Sequence, residues 1–227
     1  ELARHAGGAV LREADCLRTP VPFTHLLCED NTFAKSLKFL LALGAGRPLV
    51  GPSWLEACRQ ASVLLNVREE HMMVDEKAQR ELQFSPWGTY TRVLREGRVL
   101  ELRQPGGGRR GMRCLLTPAL IREEKDKATL PLVIDAAGGQ LLPQIIDAAG
   151  SQNGKRDGRG STGGSGVRGD NTSDDWGPPE LVLGVQKDVV WARCHLPKLT
   201  RVYSRDALIA CVVRGKLDLP RPLFVAG

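Results

Sequence analysis

Apolar residues along the chain come in short clusters separated by Gly- and Pro-rich breaks. Phe33, Leu37, Leu40 and Leu41 recur at i, i+4, i+7 and i+8, a spacing that predicts a helix. Asp30-Asn31-Thr32 offers N-cap candidates before it, and Gly44-Ala-Gly46 stops it. Upstream, His25-Leu-Leu-Cys28 is apolar without alternation, the pattern of a strand in a parallel sheet covered on both faces. Arg47-Pro-Leu-Val50 predicts a second short strand. A further helix begins at Pro52-Ser53-Trp54, with Ser53 as N-cap and Trp54 and Cys58 on one face.

The second half repeats this alternation. Met112 to Thr117 predicts a strand, and Lys127 to Ala137 a helix with Pro131 near its first turn. Leu181 to Val185 and Arg201 to Tyr203 predict strands. Ser204 caps a helix that runs through Ala207, Leu208, Cys211 and Val212 to Gly215. Helices alternating with strands define the α/β class.

Two tracts break the pattern. Gln104-Pro-Gly-Gly-Gly-Arg-Arg-Gly111 reads as a flexible joint between domains. From Gly150 to Gly169 eight residues are Gly and almost none is apolar, so this tract reads as a flexible insertion, extending over about residues 150–178. Within it, Gly164-Ser-Gly-Val-Arg-Gly169 matches a dinucleotide fingerprint literally, but it lacks the preceding strand and following helix that such a loop needs.

The halves also resemble each other. Ala6-Gly7-Gly8-Ala9-Val10-Leu11 pairs with Ala137-Gly138-Gly139-Gln140-Leu141-Leu142 at an offset of 131 residues. Trp54-Leu55 and Cys58 pair with Ala207-Leu208 and Cys211 at an offset of 153. The Gly-rich tract lies between these anchors and accounts for the difference, so the second copy is the first with a loop inserted.

Composition narrows the function classes. At 42% apolar and 26% charged residues, the chain is ordinary for a globular protein, and no run of about 18 apolar residues is present to make a membrane span. The six cysteines contain no CxxC pair, which argues against a zinc site or a disulfide scaffold and for buried thiols in a reducing compartment. Net charge is +6, but residues 1–104 carry 14 Lys/Arg against 13 Asp/Glu, so the excess sits in the second half. It is diffuse, with no basic run of the kind that marks a nucleic-acid arm. The four histidines show no metal spacing; His195 follows Cys194, but neighbours in a strand point to opposite faces, so they form no nucleophile–base pair there. No enzyme and no cofactor is expected.

Gly7-Gly8, Thr24-His25-Leu26-Leu27, Gly44-Ala-Gly46 before Pro48-Leu-Val50, and Trp54 together resemble the BRCT domain, and the duplication resembles a tandem BRCT module. The resemblance spans nearly the whole chain and is weaker in the second copy, where Ala207 stands at the tryptophan position. It implies two repeats, each a small parallel β-sheet flanked by helices, packed in tandem: residues 1–66, an inter-repeat linker over 67–111, and residues 112–227. In this family the Gly pair makes a tight helix-to-strand turn and the Trp packs in the core. The chain opens on Glu1 inside the expected first helix, which puts the first strand of copy one outside these residues.

Tandem BRCT modules commonly bind phosphoserine or phosphothreonine peptides through the first copy. The resemblance puts Lys38 on the phosphate-binding lysine, Ser36 on a neighbouring polar support, Lys35 on the basic residue that steadies the peptide after the phosphate, and Leu40 near the apolar pocket for a downstream side chain. Lysines at a helix start suit a dianion, because they add charge to the positive end of the dipole; both are equally ordinary on a solvated face. The resemblance puts the Ser/Thr-Gly half of the pocket on the first strand, which is not among these residues: either it precedes Glu1 or this copy departs from the family. In copy two, Thr117 stands at the equivalent strand end, but no matching helix lysine is clear, so a second phosphate position there is a minor alternative. The expected partner is a phosphorylated protein or peptide in a nuclear, chromosome-associated complex. DNA or another polyanion, and a phosphate-independent protein partner, are the alternatives. An Ala/Arg/Gly/Leu-rich chain with low-complexity loops is also similar to kinetoplastid proteins, which would place the module in the C-terminal region of a kinetochore protein; the DNA damage response is the other setting.

Overall fold

The computed structural model describes residues 8–29, 32–33, 36–124, 128–143 and 178–226. The Gly-rich tract from Gly150, Lys35, and Gly7 of the first Gly pair lie outside the described residues.

Copy one holds a short helix α1 (Glu13–Cys16), strand β1 (Leu26–Leu27), helix α2 (Leu37–Gly44), strand β2 (Leu49–Val50) and helix α3 (Pro52–Ala61). The two strands are parallel, with Leu26 opposite Leu49 and Leu27 opposite Val50. Helix α2 begins later than its apolar spacing predicts. Ser36 is its N-cap, and Phe33 lies ahead of it against Phe39 and Phe84, with its N–H donating to the Asp75 carboxylate at 2.8 Å. The stop signal is as expected: Ala45 N–H returns to the Leu41 carbonyl, and Gly46 takes φ +66°. Helix α3 is capped by Gly51 rather than Ser53, because Pro52 occupies the first helical position, where its missing N–H costs nothing. Trp54 is buried, stacks on His25 at 4.6 Å and donates its indole N–H to the Leu65 carbonyl.

The linker is ordered by two helices, α4 (Glu76–Leu82) and α5 (Pro86–Glu96). Each is capped by its own side chain: Asp75 accepts from Ala78 N–H, and Ser85 accepts from Gly88 N–H. The expected joint at Gln104–Gly111 is not a break. It is an antiparallel hairpin of β3 (Glu101–Arg103) and β4 (Arg109–Gly111). Met112 N–H donates to the Leu100 carbonyl and Leu100 N–H to that of Ala137, fastening the hairpin to copy two.

Copy two comprises β5 (Arg113–Leu116), α6 (Pro118–Glu123), α7 (Thr129–Ala136), β6 (Gln140–Leu141), β7 (Leu181–Leu183), α8 (Val189–His195), β8 (Arg201–Tyr203), α9 (Arg205–Arg214) and β9 (Phe224–Val225). Its sheet has the order β6-β5-β7-β8-β9, parallel except for β9. The β7–β8 pair matches the β1–β2 pair of copy one. Tyr203 stands opposite Leu183 as Val50 stands opposite Leu27, and Tyr203 and Val50 are separated by the same 153 residues as Ala207 and Trp54. Gly138 turns α7 into β6 at φ +85°, and a Cβ on Gly139 would meet the Ile134 side chain at 2.8 Å, so this Gly pair is required by the turn.

The two copies share one apolar core. Helix α2 packs on both α7 and α9, and Leu41, Val133, Ile134 and Leu208 are sealed from solvent in a single cluster. A Cβ on Gly44 would come within 3.1 Å of the Ala137 backbone nitrogen, so the absence of a side chain there sets how closely α2 approaches α7. Burying these side chains stabilises the tandem at about 25 cal/mol per Å² of apolar surface, and because the cluster spans both copies, neither can lose its packing alone.

Candidate functional site

In parallel α/β sheets, ligands bind at the carboxyl ends of strands, where the following helices present their N-termini. In copy one that place lies between Cys28, which follows β1, and the start of α2. Ser36 caps the helix there, and the Lys38 charge acts on Cys28. The Ser36 backbone caps α2 and its carbonyl accepts from Leu40 N–H, while its buried hydroxyl has no hydrogen-bond partner. No acidic residue lies in the first turn of α2, so none there competes with an incoming anion for the helix N-terminus. Lys38 is half-buried, one position past the first helical residue. Its charge is felt at the Cys28 thiol: burial pushes that thiol up to about 11, and the ammonium pulls the other way. Just ahead of β1, burial and then the Arg47 charge lower the pKa of His25, whose ring stacks on Trp54.

The remaining expected site residues fare differently. Leu40 is only 3% exposed and belongs to the shared core. Its i+3 spacing from Leu37 serves packing. Lys35 lies outside the described residues.

Copy two shows what the corresponding position looks like when complete. Thr117, wholly buried at the end of β5, donates its hydroxyl to Asp188 Oδ2 at 2.5 Å. Ala119 N–H donates to Asp188 Oδ1 and Val185 N–H to Oδ2, each at 3.0 Å. A strand-end hydroxyl and two backbone N–H groups thus converge on one carboxylate that is 2% exposed. This accounts for the absence of a matching helix lysine in copy two. The donors are there, but Asp188 supplies the anion from within, and its charge and bulk exclude another. Asp188 was invisible as a functional residue, because in sequence it is one acid in a polar stretch and its partner lies 71 residues away.

Two further histidines and two buried thiols among the described residues have structural settings. His71 Nδ1 accepts from Arg68 N–H, and His195 stacks on Trp191. Cys114 is pushed up to about 12 by burial, and Cys211 is raised by the same cause. Among the described residues, no group of three or more His, Cys, Asp or Glu could hold a metal ion, and no helix is long and apolar enough to cross a membrane.

Comparison with known proteins agrees with this geometry at the level of fold. No protein-family model matches the sequence, and no curated protein does. Among solved structures, the chain is similar to the crystal structure of the BRCT5–BRCT6 domains of S. pombe Brc1, with a TM-score of 0.56 and 14% identity over 97% of this chain and 89% of that one. The fold is therefore that of a tandem BRCT pair. Neither the fold nor the comparison supports a kinetochore origin.

Proposed function

We propose that the chain is a non-enzymatic protein-interaction module that binds a phosphoserine- or phosphothreonine-bearing peptide of a partner protein in a nuclear, chromosome-associated complex. The phosphate sits at the start of α2, against Ser36 and Lys38, with Lys35 steadying the peptide beside it. The observation that carries this reading is the buried Ser36 hydroxyl without a partner, at the N-cap of a helix whose first turn bears Lys38 and no acid. Buried polar groups are costly unless bonded. A phosphate brings close to two negative charges and three strong acceptor oxygens, which complement a hydroxyl donor, an ammonium and the unpaired N–H groups of a helix start. The tandem BRCT fold supports the wider reading as an interaction module.

The test is fluorescence anisotropy with a phosphoserine peptide pool and its unphosphorylated twin. Lys38→Met is expected to weaken phosphopeptide binding about 10- to 100-fold, the equivalent of one charge-assisted hydrogen bond. Ser36→Ala is expected to weaken it several-fold. Phosphopeptide binding that ignores Lys38→Met would overturn the site.

A second reading, binding of DNA or another polyanion, is favoured by the hairpin, where Arg103 stands directly opposite Arg109 across the ladder. Like charges so placed repel, and a bound polyanion would relieve that. This reading predicts a steep fall in duplex affinity with added salt.

A further inference from the structure

Among the described residues, a well-defined hollow lies away from the start of α2. It has a volume of about 750 Å³ and is formed where the linker helices α4 and α5 meet the C-terminal end of α9. That is within the range of small-ligand sites, about 300–1,000 Å³. Phe84 and Thr89, both buried, lie at its wall, and Arg80, Arg92, Arg214 and Lys216 line it.

The arginines are fixed by backbone carbonyls rather than by acids. Arg92 donates to the Arg214 carbonyl at 2.8 Å, Arg214 to the Leu82 carbonyl at 3.1 Å, and Arg80 to the Glu76 carbonyl at 3.3 Å. None of the three has a carboxylate within ion-pair distance among the described residues, whereas Arg110 and Arg205 elsewhere are paired with Glu180 and Glu124. Two carboxylates do line the hollow. Asp218 lies 4.0 Å from Lys216, and Glu76 pairs with none of the arginines. Four cations therefore face two acids. Arg92 and Arg214 are half-buried, where an uncompensated charge is unfavourable. A guanidinium held by one N–H keeps the rest of its donor fork for a planar or tetrahedral oxyanion.

We propose that this hollow is a second anion site, separate from the start of α2, which takes a doubly charged oxyanion between Arg92 and Arg214 with Arg80 and Lys216 at the rim. A phosphate group and a pair of peptide carboxylates share that chemistry. The site reads the charge of a ligand that bridges the linker and copy two, so its occupation also braces the two against each other.

The test titrates inorganic phosphate, and in a parallel arm an oligoglutamate peptide, into the full chain while backbone amide NMR signals are followed. Arg92 and Arg214 tie the linker to copy two, so the variants are Arg80→Ala/Lys216→Ala and, as a control, Lys38→Met. Saturable shifts at Gly88, Thr89 and Lys216 are expected, at least tenfold weaker in the double variant and unchanged in Lys38→Met. Saturation by phosphate alone assigns a phosphate ligand, and saturation by both assigns any paired oxyanion. The absence of saturable shifts at these residues in both arms overturns the proposal, as does their loss in Lys38→Met; failure of the phosphopeptide reading leaves it standing.

Discussion

Thr117 and Asp188 are joined by a 2.5 Å hydrogen bond across 71 residues of chain, and two backbone N–H groups aim at the same carboxylate. Copy two thus carries its own anion in the place where copy one presents Ser36 and Lys38. The same architecture is self-satisfied in one repeat and unsatisfied at the Ser36 hydroxyl in the other, and this difference is the basis for assigning ligand binding to copy one.

Asp188→Ala leaves three buried donors without an acceptor. It is expected to destabilise the chain by about 2–4 kcal/mol, since each lost charge-assisted bond costs roughly 1.5–3 kcal/mol and the losses overlap. Urea denaturation measures this. Asp188→Asn, which keeps an acceptor oxygen, is expected to cost less, and an equal loss in both would mean that charge rather than hydrogen bonding holds the turn.

Gly44→Val places a side chain against the Ala136–Ala137 backbone, with its Cβ 3.1 Å from the Ala137 nitrogen. Overpacking of this kind costs about 1–3 kcal/mol. Because α2, α7 and α9 share a core, the variant is expected to melt in one transition at lower temperature when followed by tryptophan fluorescence and by circular dichroism. Separated transitions would show that the repeats unfold independently.

Glu180 accepts from both guanidinium nitrogens of Arg110 and from Arg113 N–H, and the Arg110 bonds hold its carboxyl down to about 2. A depressed folded-state pKa contributes stability above the ordinary carboxylate range and loses it as pH falls toward 2. Glu180→Gln is therefore expected to cost about 1–2 kcal/mol at pH 7, after allowance for solvent screening, and nothing near pH 2. A difference that stays constant with pH would place the effect in packing.

Cys28 and Cys114, with thiols held near 11 and 12 by burial, are expected to resist iodoacetamide at pH 8 until the chain unfolds, while exposed Cys194 reacts. Mass spectrometry of partly labelled protein reads the order.

Much of the fold was legible because its signals are local. Ser204 caps α9 and Gly215 ends it as their residue types require, and β8 spans the predicted Arg201–Tyr203. The repeat was legible because Val50 and Tyr203 keep the register that Trp54 and Ala207 announce. Signals that depend on distant partners were not legible. The Gly-rich turn of β3–β4 has no apolar period, and the hairpin is held by Leu100 bonding to Met112 and Ala137. The caps Asp75 and Ser85, and the i, i+4, i+7 spacing of Pro86, Tyr90 and Val93 in α5, stand in the sequence, whereas α4 buries only Ala78 and no stripe marks it. At the site, the start of α2 at Ser36 was not readable, because the apolar spacing already begins at Phe33, and the burial of Leu40 follows from α7 and α9 packing on α2.

Retention of a degenerate phosphoserine peptide library on the immobilised chain, before and after phosphatase treatment, tests the central claim most directly. The account predicts that retention requires the phosphate and disappears in Lys38→Met while the fold is preserved. Equal retention of the treated and untreated libraries, or full retention by the Lys38→Met chain, would contradict it.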